Sequence, residues 1–581
     1  MKEVKFGERK DFGKKDRVTD KRGHSPKMTG ARFIAETFKG YGVTHVFYVE
    51  AILRRALVEM EALGIRRVLA HSEKAAAYMA DGYARVSHRP GICMAQSVGA
   101  ANLASGLQDP YLGLSPVIAI TGRTLPVSRY RNAYQEVHHT PLFEPVTKYN
   151  VCVDVLEQLP YLLRQAFREA TSGAPGPVHL DVVGNLGEEI DTAEGILEVI
   201  VEEPFTRYPA FRPEPQAESV SAAAAMLENA ERPVIVAGGG AMASSAGPEI
   251  TKLAEMLSIP VATALNGKGT ILENHPLSLG VVGSYSRWCT NRVVAEADLV
   301  LFVGSHTGDQ VTNGWSVPRP GTPVIQIDID PSELGRSYPN TVSLMGDAKV
   351  TVRKLIESLH RKADSSDWDQ WSQSIVKEWR EEVEPLRNSD AVPIRPERFC
   401  KELTEFLPPN AILVSDTGFA GIWTGTMVNL THPGQSYLRC AGSLGWGFPA
   451  SLGAKCAAPD RPVVCFIGDG GFWYHLSELE TALRCGIKTV TVVNNNSCLR
   501  QCVEGINRAY GERPGKREEM CKFLDVNFAK IAKEIGCFGI RVQRPEEISK
   551  ALKQASESDL PALVDVVTDV AVKAPSPWSP S

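Results

Sequence analysis

The residues with the clearest chemical potential are an aspartate and an asparagine that each follow an apolar run. Asp469 lies in the segment VVCFIGDGGF, and Asn496 ends the segment TVTVVNNN, 27 positions further along the chain. Such runs are typical of strands buried on both faces of a parallel sheet. A right-handed crossover through one helix would return the second strand beside the first, so we expect both side chains at the carboxyl edge of the sheet, where ligands bind.

The oxygen atoms at this edge predict a magnesium site. A carboxylate, a side-chain amide and a nearby backbone carbonyl are hard ligands that suit Mg²⁺, whose other ligands are usually phosphate oxygens and water. The predicted metal ligands are Asp469, Asn496 and Cys498. The glycines that would let a diphosphate approach the backbone at a helix start are Gly468, Gly470 and Gly471. A plain glycine turn beside an ordinary run of asparagines is the alternative interpretation.

The elements that must position these residues form an alternating pattern. From residue 31 onward, short apolar strands alternate with helical patterns, which predicts an α/β protein with three doubly wound parallel-sheet domains. The predicted limits are 28–195, 217–362 and 397–575. Four prolines between 202 and 216 predict a linker, and a charged, Trp-containing segment from about 363 to 396 predicts a second connection.

Composition narrows the class of protein. The 581 residues carry 63 Lys and Arg against 68 Asp and Glu, a net charge of −5 that is too balanced for a general nucleic-acid binder. Residues 1–27 hold ten of the basic residues against five acidic ones and predict a flexible basic tail. No apolar run approaches the roughly 20 residues needed to span a bilayer, so we expect no membrane segment.

The cysteines favour a reducing compartment. Twelve cysteines are scattered along the chain without a CxxC pair, which argues against a disulfide scaffold or a zinc ribbon. We therefore predict reduced thiols and a cytoplasmic location.

The GDG motif with asparagines 26 and 27 positions after its aspartate resembles the diphosphate-binding motif of thiamine diphosphate enzymes. Over residues 28–575 the chain is similar to the group of acetolactate synthases, 2-oxo acid decarboxylases and aldehyde lyases, and most similar to acetolactate synthase-like large subunits. The resemblance implies a pyrimidine-binding, a central and a diphosphate-binding domain, in that order. It also implies thiamine diphosphate and Mg²⁺ as cofactors, and a homodimer or homotetramer with active sites between subunits.

Three segments carry further residues of that resemblance. HSEKAAAYMADGYAR (71–85) resembles the segment with the glutamate that contacts the pyrimidine ring, which implies that Glu73 exchanges a proton with that ring. GSLGWGFPASLGAK (442–455) is similar to the strip that holds the cofactor bent. There the resemblance implies contacts from Gly442, Ser443 and Leu444, with the leucine between the two rings. SDTGF (415–419) resembles a diphosphate-side loop and adds Thr417 and Gly418.

The residues expected around the substrate mix two patterns. NAYQEVHHTPLFEPVTKYN (132–150) is similar to an acetolactate synthase stretch in which Gln135 would bind a reacting oxygen. His138 and His139 resemble the proton-relaying pair of simple 2-oxo acid decarboxylases, although two structural histidines are an equal alternative. Glu50 also resembles a decarboxylase acid, whereas the glutamate that those enzymes place after the GDG motif is Cys502 here.

The flavin pattern is incomplete as well. His306 and Gln310 stand where flavin-containing synthases carry two arginines, which makes FAD doubtful.

Together these residues predict decarboxylation of a 2-oxo acid with transfer of the acyl-anion equivalent to a carbonyl acceptor such as an aldehyde. The alternative is a decarboxylase or aldehyde lyase that releases free aldehyde. A catalytically silent cofactor-binding homologue is a third hypothesis, against which the presence of Glu73, Asp469 and Asn496 argues.

Overall fold

Three α/β domains follow one another along the chain in the computed structural model, which describes residues 27–49, 52–360 and 367–580. Each domain is built on a six-stranded sheet whose strands are all parallel. The predicted fold class of three doubly wound parallel-sheet domains is therefore confirmed, while the exact domain limits remain a prediction. Of the predicted basic tail, residues 1–26 lie outside the described residues, and Lys27 opens the first strand.

The first domain buries both faces of its sheet. Its elements are β1 (Lys27–Thr29), α1 (Gly30–Gly40), β2 (His45–Val49), α2 (Arg54–Ala62), β3 (Arg66–Leu69), α3 (Glu73–Ser87), β4 (Gly91–Ala95), α4 (Ala100–Leu112), β5 (Val117–Arg123), α5 (His139–Phe143), β6 (Tyr149–Val153), α6 (Leu159–Thr171), β7 (Val178–Val183), α7 (Glu188–Thr192) and β8 (Glu194–Ile196). The strand order is β3-β2-β4-β5-β7-β6, and β1 pairs with β8 in a separate antiparallel ribbon. Phe47 and Cys93 belong to one core cluster, and the adjacent Val46 and Ile92 belong to another, as expected for alternating side chains of strands covered on both sides.

The central domain repeats this architecture. Its elements are α8 (Ala217–Asn229), β9 (Pro233–Ala237), α9 (Gly239–Ala243), α10 (Gly247–Leu257), β10 (Val261–Thr263), β11 (Ser278–Val281), α11 (Trp288–Ala295), β12 (Leu299–Val303), α12 (Asp309–Thr312), β13 (Val324–Asp328), β14 (Val342–Met345) and α13 (Ala348–Ser358). The strand order is β11-β10-β9-β12-β13-β14.

A long helix lies within the connection that the sequence predicted after the central domain. Helix α14 (Asp367–Arg387) buries Trp368, Ile375, Trp379 and Val383 along one side. These residues recur four or seven positions apart, which is the spacing of one helical face. The sequence analysis predicted only a connection here and did not identify the helix, because the many charges on its opposite face obscure this apolar stripe.

The third domain carries the GDG segment. Its elements are α15 (Pro396–Phe406), β15 (Ile412–Ser415), α16 (Phe419–Thr426), β16 (Ser436–Arg439), α17 (Gly447–Ala457), β17 (Val463–Gly468), α18 (Asp469–Phe472), α19 (Glu478–Cys485), β18 (Val490–Asn495), α20 (Val503–Tyr510), α21 (Phe528–Ile535), β19 (Phe538–Val542), α22 (Ile548–Ser556) and β20 (Ala562–Val567). The strand order is β16-β15-β17-β18-β20-β19, so the two strands that precede Asp469 and Asn496 are neighbours.

Short 3₁₀ helices complete the described secondary structure. They span Pro126–Ser128, Glu144–Val146, Leu156–Gln158, Glu203–Thr206, Leu265–Gly267, Arg500–Cys502, Arg517–Met520 and Pro545–Glu547. No helix in the described ranges is both long enough and apolar enough to cross a bilayer.

The first and third domains pack through α3 and α17. A Cβ atom added at Gly82 would lie 2.0 Å from the Ala450 carbonyl oxygen, and one added at Gly453 would lie 1.8 Å from the Met79 carbonyl oxygen. The two helix backbones therefore approach too closely for any larger residue at these two positions. This contact brings the segment that begins at Glu73 against the domain that carries the GDG segment.

Candidate active site

Asp469 and Asn496 meet at the carboxyl edge of the third sheet. Strands β17 and β18 are parallel neighbours in which Gly468 is paired with Asn494. The Asp469 carboxylate accepts hydrogen bonds from the backbone N–H groups of Cys498, at 3.1 Å, and Asn496, at 3.5 Å. The juxtaposition expected from the spacing of the two residues is thus present.

Only the last of three consecutive asparagines keeps a free oxygen. The side-chain oxygen of Asn494 accepts from the Thr568 hydroxyl, and the side-chain oxygen of Asn495 accepts from the Ser497 N–H at 3.3 Å. The side-chain oxygen of Asn496 is buried and has no hydrogen-bond partner among the described residues. Since buried polar atoms are nearly always satisfied, this oxygen marks a place for an electropositive ligand.

Burial makes ionisation of the Asp469 carboxylate unfavourable unless a cation lies beside it. Its side chain is almost fully buried, and this burial raises the pKa of Asp469 to about 7, against the opposing effect of the surrounding backbone N–H groups. A divalent cation would restore the ionised form. In the part of the chain that the structure describes, no group of three His, Cys, Asp or Glu side chains could hold a metal ion. The atoms that this edge offers are the Asp469 carboxylate and the Asn496 side-chain oxygen, hard ligands of the kind that Mg²⁺ prefers, so the site fits that ion.

The thiol of Cys498 is not placed to be a metal ligand. It packs with Ile506 and Cys521 in a small apolar cluster, while the Cys498 backbone N–H is bound to Asp469. Of the groups that Cys498 offers, its backbone carbonyl is therefore the candidate ligand.

The glycines of the site have two different roles. Apart from the chain neighbours, no heavy atom of the described residues lies within 4 Å of a Cβ position at Gly468 or Gly442, so both positions face open space. A Cβ at Gly470 would instead lie 2.5 Å from Leu499, and one at Gly471 would lie 3.1 Å from the Asp416 carboxylate. The first pair leaves room for a ligand, whereas the second pair permits close packing behind it.

A buried aspartate that the sequence analysis did not single out organises the neighbouring loops. Asp416 follows β15 and accepts from the backbone N–H groups of Thr417 at 2.8 Å, Gly445 at 3.2 Å and Gly447 at 2.8 Å. Burial raises the pKa of Asp416 to about 6. Gly418 has a φ of +65°, a backbone conformation that glycine adopts without strain. Asp416 thus joins the predicted diphosphate-side loop to the strip that includes Leu444.

Glu73 lies at the first turn of α3, which Ser72 caps by accepting from the Ala75 N–H at 3.0 Å. The Glu73 carboxylate accepts from the Asn102 side chain at 3.1 Å. Its other oxygen lies 2.5 Å from the Cβ position of Gly99, so a larger residue at 99 would displace it.

The segment of Gln135 lies beside the same loop. The Gln135 carbonyl accepts from the Ser97 hydroxyl at 2.7 Å, two residues before the glycine that faces Glu73. Gln135 has a φ of +59°, in the left-handed region, so this bend is held against its own steric preference. The structure therefore brings Glu73 and the Gln135 segment together within the first domain.

The two adjacent histidines lie in different surroundings. His138 is exposed, whereas His139 is 2% exposed and binds Asp181 at 2.9 Å through Nδ1. His139 Nε2 is buried and has no partner among the described residues. A proton relay through both residues stays a prediction. Glu50, the other predicted acid, lies outside the described residues.

The central domain adds a cavity at the carboxyl edge of its sheet. The cavity has a volume of about 430 Å³, and its lining includes His306, Gln310 and Asp328. Gln310 accepts from the Arg439 side chain of the third domain at 2.7 Å. The guanidinium beside Gln310 is therefore that of Arg439, which belongs to the third domain and is already hydrogen-bonded to Gln310.

Three families match the chain in the same order as the three domains. The N-terminal TPP binding domain of thiamine pyrophosphate enzymes matches residues 28–142, their central domain matches 220–355, and their C-terminal TPP binding domain matches 416–566. The third match includes both Asp469 and Asn496.

Full-length relatives are acetolactate synthase large subunits. The chain is 34% identical to a probable acetolactate synthase large subunit of Methanocaldococcus jannaschii, over 94% of this chain and 93% of the relative. It is 30% identical to the isozyme 2 large subunit of Escherichia coli, over 93% and 96% of the two chains. The large subunit of Lactococcus lactis is 29% identical, over 93% and 92%.

Proposed function

The chain belongs to the thiamine pyrophosphate enzymes, among the relatives of acetolactate synthase large subunits, and from this premise we propose that it decarboxylates a 2-oxo acid and transfers the acyl-anion equivalent to a carbonyl acceptor. The observation that carries the proposal is the edge of the third sheet, where the Asp469 carboxylate and the unpaired Asn496 oxygen lie beside the open space at Gly468. This arrangement suits a cation that fastens a diphosphate.

Thiamine diphosphate, when bound, supplies the electron sink for the electron pair left by loss of CO₂. The protein contributes binding, orientation and proton transfer. In this proposal Asp469, Asn496 and the Cys498 carbonyl hold Mg²⁺, and Thr417, Gly418 and Gly468 border the diphosphate. Gly470 and Gly471 let the backbone behind the diphosphate pack closely against Leu499 and Asp416.

The ring end of the cofactor would lie along the strip that includes residues 442–444. The Gly442 carbonyl would accept a hydrogen bond from the pyrimidine amino group, Ser443 would hold the strip, and the half-buried Leu444 would separate the two rings. Glu73 would hold and return a proton at its carboxylate oxygen. Its bond to Asn102 fixes the orientation of the carboxylate without consuming both oxygens.

Substrate contacts are proposed for the segment that carries Gln135, because the Ser97 bond ties this segment to the loop beside Glu73. His138 and His139 would handle protons there, with Asp181 orienting the His139 ring. Glu50 is proposed for the same region from the sequence alone.

We further propose that two or four copies of the chain assemble in the cytoplasm. The segment between β5 and α5 that carries Gln135 exposes 75–87% of Val127, Tyr130 and Tyr134. Trp473 and Tyr474, just after the GDG segment, are also exposed. Large apolar side chains around a site favour a partner surface, and a second copy would cover them.

Product analysis tests the proposed reaction. The purified chain with Mg²⁺, thiamine diphosphate and pyruvate is expected to form a carboligation product, and an added aldehyde should change which product forms. Acetaldehyde as the sole product under both conditions would favour a simple decarboxylase. No CO₂ release from pyruvate or from a panel of larger 2-oxo acids would contradict both reactions. Mass spectrometry of cofactors released from the protein tests FAD and thiamine diphosphate together.

A further inference from the structure

Two buried carboxylates from different domains hold the segment 441–447, called here the ring strip. Asp109, on α4 of the first domain, accepts from the N–H groups of Ala441 at 2.7 Å, Gly442 at 3.3 Å and Ser443 at 3.0 Å. Asp416, on the third domain, binds the far half through Gly445 and Gly447. Five of the seven backbone N–H groups of the ring strip are therefore bound to these two side chains.

The burial of Asp109 makes this attachment strong. Asp109 has no exposed surface, and burial raises its pKa while the Arg85 guanidinium opposes that rise. Arg85 lies 3.5 Å from Asp109, is paired with Asp81 at 2.8 Å and donates to the Arg439 carbonyl at 2.7 Å. A buried carboxylate that lost its backbone donors would be left unsolvated, so the carboxylate and the ring strip constrain each other.

The side of the ring strip that the two carboxylates do not occupy faces open space. Leu444 lies between the two anchored halves and is half-buried, and within the described part of the chain no atom beyond the adjacent residues lies within 4 Å of the Cβ position of Gly442. A strip fixed at both ends in this way needs no ordering when a ligand arrives.

We propose that Asp109 is a positioning residue that orders the ring strip from the first domain of the same chain, so that the two ends of the cofactor depend on different domains. The ring end needs the docked first domain, whereas the diphosphate end at Asp469 and Asn496 is built by the third domain alone. This inference rests on the proposed function, because it takes the ring strip as the surface that grips the thiamine rings.

Two probes separate the two ends. Isothermal titration calorimetry is done with magnesium thiamine diphosphate and with magnesium pyrophosphate, which has no rings, on the full-length wild type and on Asp109→Asn. The variant is expected to bind thiamine diphosphate about tenfold or more weakly, the effect of losing hydrogen bonds to a charged acceptor, and to bind pyrophosphate as the wild type does. Equal thiamine diphosphate affinity in the two proteins would overturn the proposal, and so would equal weakening for both probes.

A matched control is Asp298→Asn in the central domain. Asp298 also accepts from two adjacent backbone N–H groups, those of Glu231 and Arg232, but no hydrogen bond among the described residues joins its side chain to the ring strip. Both affinities should stay at the wild-type value. A loss of thiamine diphosphate affinity in this control equal to that of Asp109→Asn would show a general effect of such changes and would overturn the specific role of Asp109.

Amide hydrogen exchange of the wild type tests whether the ring strip is ordered before the cofactor binds, and it does so even if Asp109→Asn does not fold. In the cofactor-free wild type, the amides of residues 441–443, 445 and 447 are expected to exchange slowly, because their acceptors are already in place. Fast exchange that slows only on addition of cofactor would overturn the proposal. A wild type that binds neither probe would instead contradict the proposed function, and the exchange result would still show whether the ring strip is ordered in advance.

Discussion

Asp469 is the residue whose removal most directly tests the metal site. In Asp469→Ala the carboxylate is lost, so the cation keeps only the amide and carbonyl oxygens. We expect Mg²⁺-dependent binding of thiamine diphosphate to weaken by at least about a hundredfold, as measured by calorimetry. Asp525→Ala is a suitable control, because Asp525 is an exposed carboxylate of the same domain that pairs with Arg541. Unchanged affinity in Asp469→Ala would contradict the metal assignment.

Glu73→Gln separates proton transfer from binding. The glutamine keeps the size of the side chain and an oxygen that can accept from Asn102, but it cannot hold the proton. We expect the cofactor to stay bound while turnover of the 2-oxo acid falls by about a hundredfold or more, the usual contribution of a positioned acid–base group. Steady-state kinetics at saturating cofactor would measure the fall.

The exposed Glu157 of the first domain offers the corresponding control for that experiment. Glu157→Gln should turn over at the wild-type rate. Turnover of Glu73→Gln equal to that of this control would show that Glu73 does not move the proton.

The sequence predicted candidate site residues where a local pattern, such as the end of an apolar run, marks them. Asp469 and Asn496 could be found because each ends an apolar run, and the crossover rule then places them side by side. Asp416 also follows an apolar run, but its hydrogen bonds to backbone N–H groups leave no pattern in the sequence. The same holds for Asp109, which does not end an apolar run. Asp109 is separated from the ring strip by more than 300 positions. The one available signal was a charged residue in the apolar setting of the segment GLQDPYLGL, which a buried helix tolerates only when the charge is bound.

At the scale of elements, buried strands were predicted well because their apolar runs are continuous. The segment 463–468 is an example, and it forms β17. Helix α14 was not predicted, because its apolar residues are few and are spaced among many charged ones. The packing of α3 on α17 was also beyond prediction, since the close approach at Gly82 and Gly453 depends on which helices meet.

The contact between α3 and the segment after α18 carries a pH-dependent contribution to stability. His475 is 5% exposed, neither of its ring nitrogens has a partner among the described residues, and its ring lies edge-on to Tyr78. Burial, with a smaller effect of Lys74, lowers the pKa of His475 to about 4. The unfolded chain therefore binds this proton at a higher pH than the folded protein does. The free energy of unfolding should decrease as the pH falls from about 6.5 to about 4, by about 3 kcal/mol, and should not depend on His475 above that window.

His475→Leu tests that contribution. The variant cannot be protonated at this position, so its Tm should decrease less than that of the wild type between pH 7 and pH 4.5 in scanning calorimetry. His432 is exposed, and His432→Leu should follow the wild-type curve. Parallel curves for all three proteins would mean that protonation of His475 is not coupled to unfolding.

For the whole molecule, the sequence predicted three domains but not how they dock. The core is continuous across the domain limits: one apolar cluster contains Ala76 and Leu103 of the first domain together with Phe448 and Phe472 of the third. The central domain docks on the third through a second apolar cluster, which contains both Phe302 and Phe399, and through buried charges. The Lys268 ammonium pairs with Glu273 and donates to the Val428 carbonyl at 2.8 Å, a contact between residues 160 positions apart. No local pattern in the sequence encodes a contact over that distance.

Glu273 is the only carboxylate among the described ion pairs of this junction. It lies 3.6 Å from the Arg287 guanidinium, pairs with Lys268 and accepts from the Leu430 N–H at 2.5 Å. Lys268 and Arg287 are almost completely buried. In Glu273→Gln two cations would be left in a region of low dielectric without their counter-charge, so we expect a loss of about 3–5 kcal/mol in the free energy of unfolding. Denaturant unfolding, with limited proteolysis to detect release of the central domain, would measure it.

A double variant shows whether the uncompensated charge is the cause. Lys268→Met combined with Glu273→Leu removes the ion pair and fills its space with apolar groups, so this protein should be more stable than Glu273→Gln although it carries more changes. Arg287 keeps its bond to the Thr426 carbonyl and its stacking on Trp379 in both proteins, and it loses the Glu273 counter-charge in both. The two proteins therefore differ in the Lys268 charge and in the Leu430 N–H, which keeps an acceptor only in Glu273→Gln. If the double variant were the less stable of the two, the uncompensated charge of Lys268 would not be the cause of the loss in Glu273→Gln.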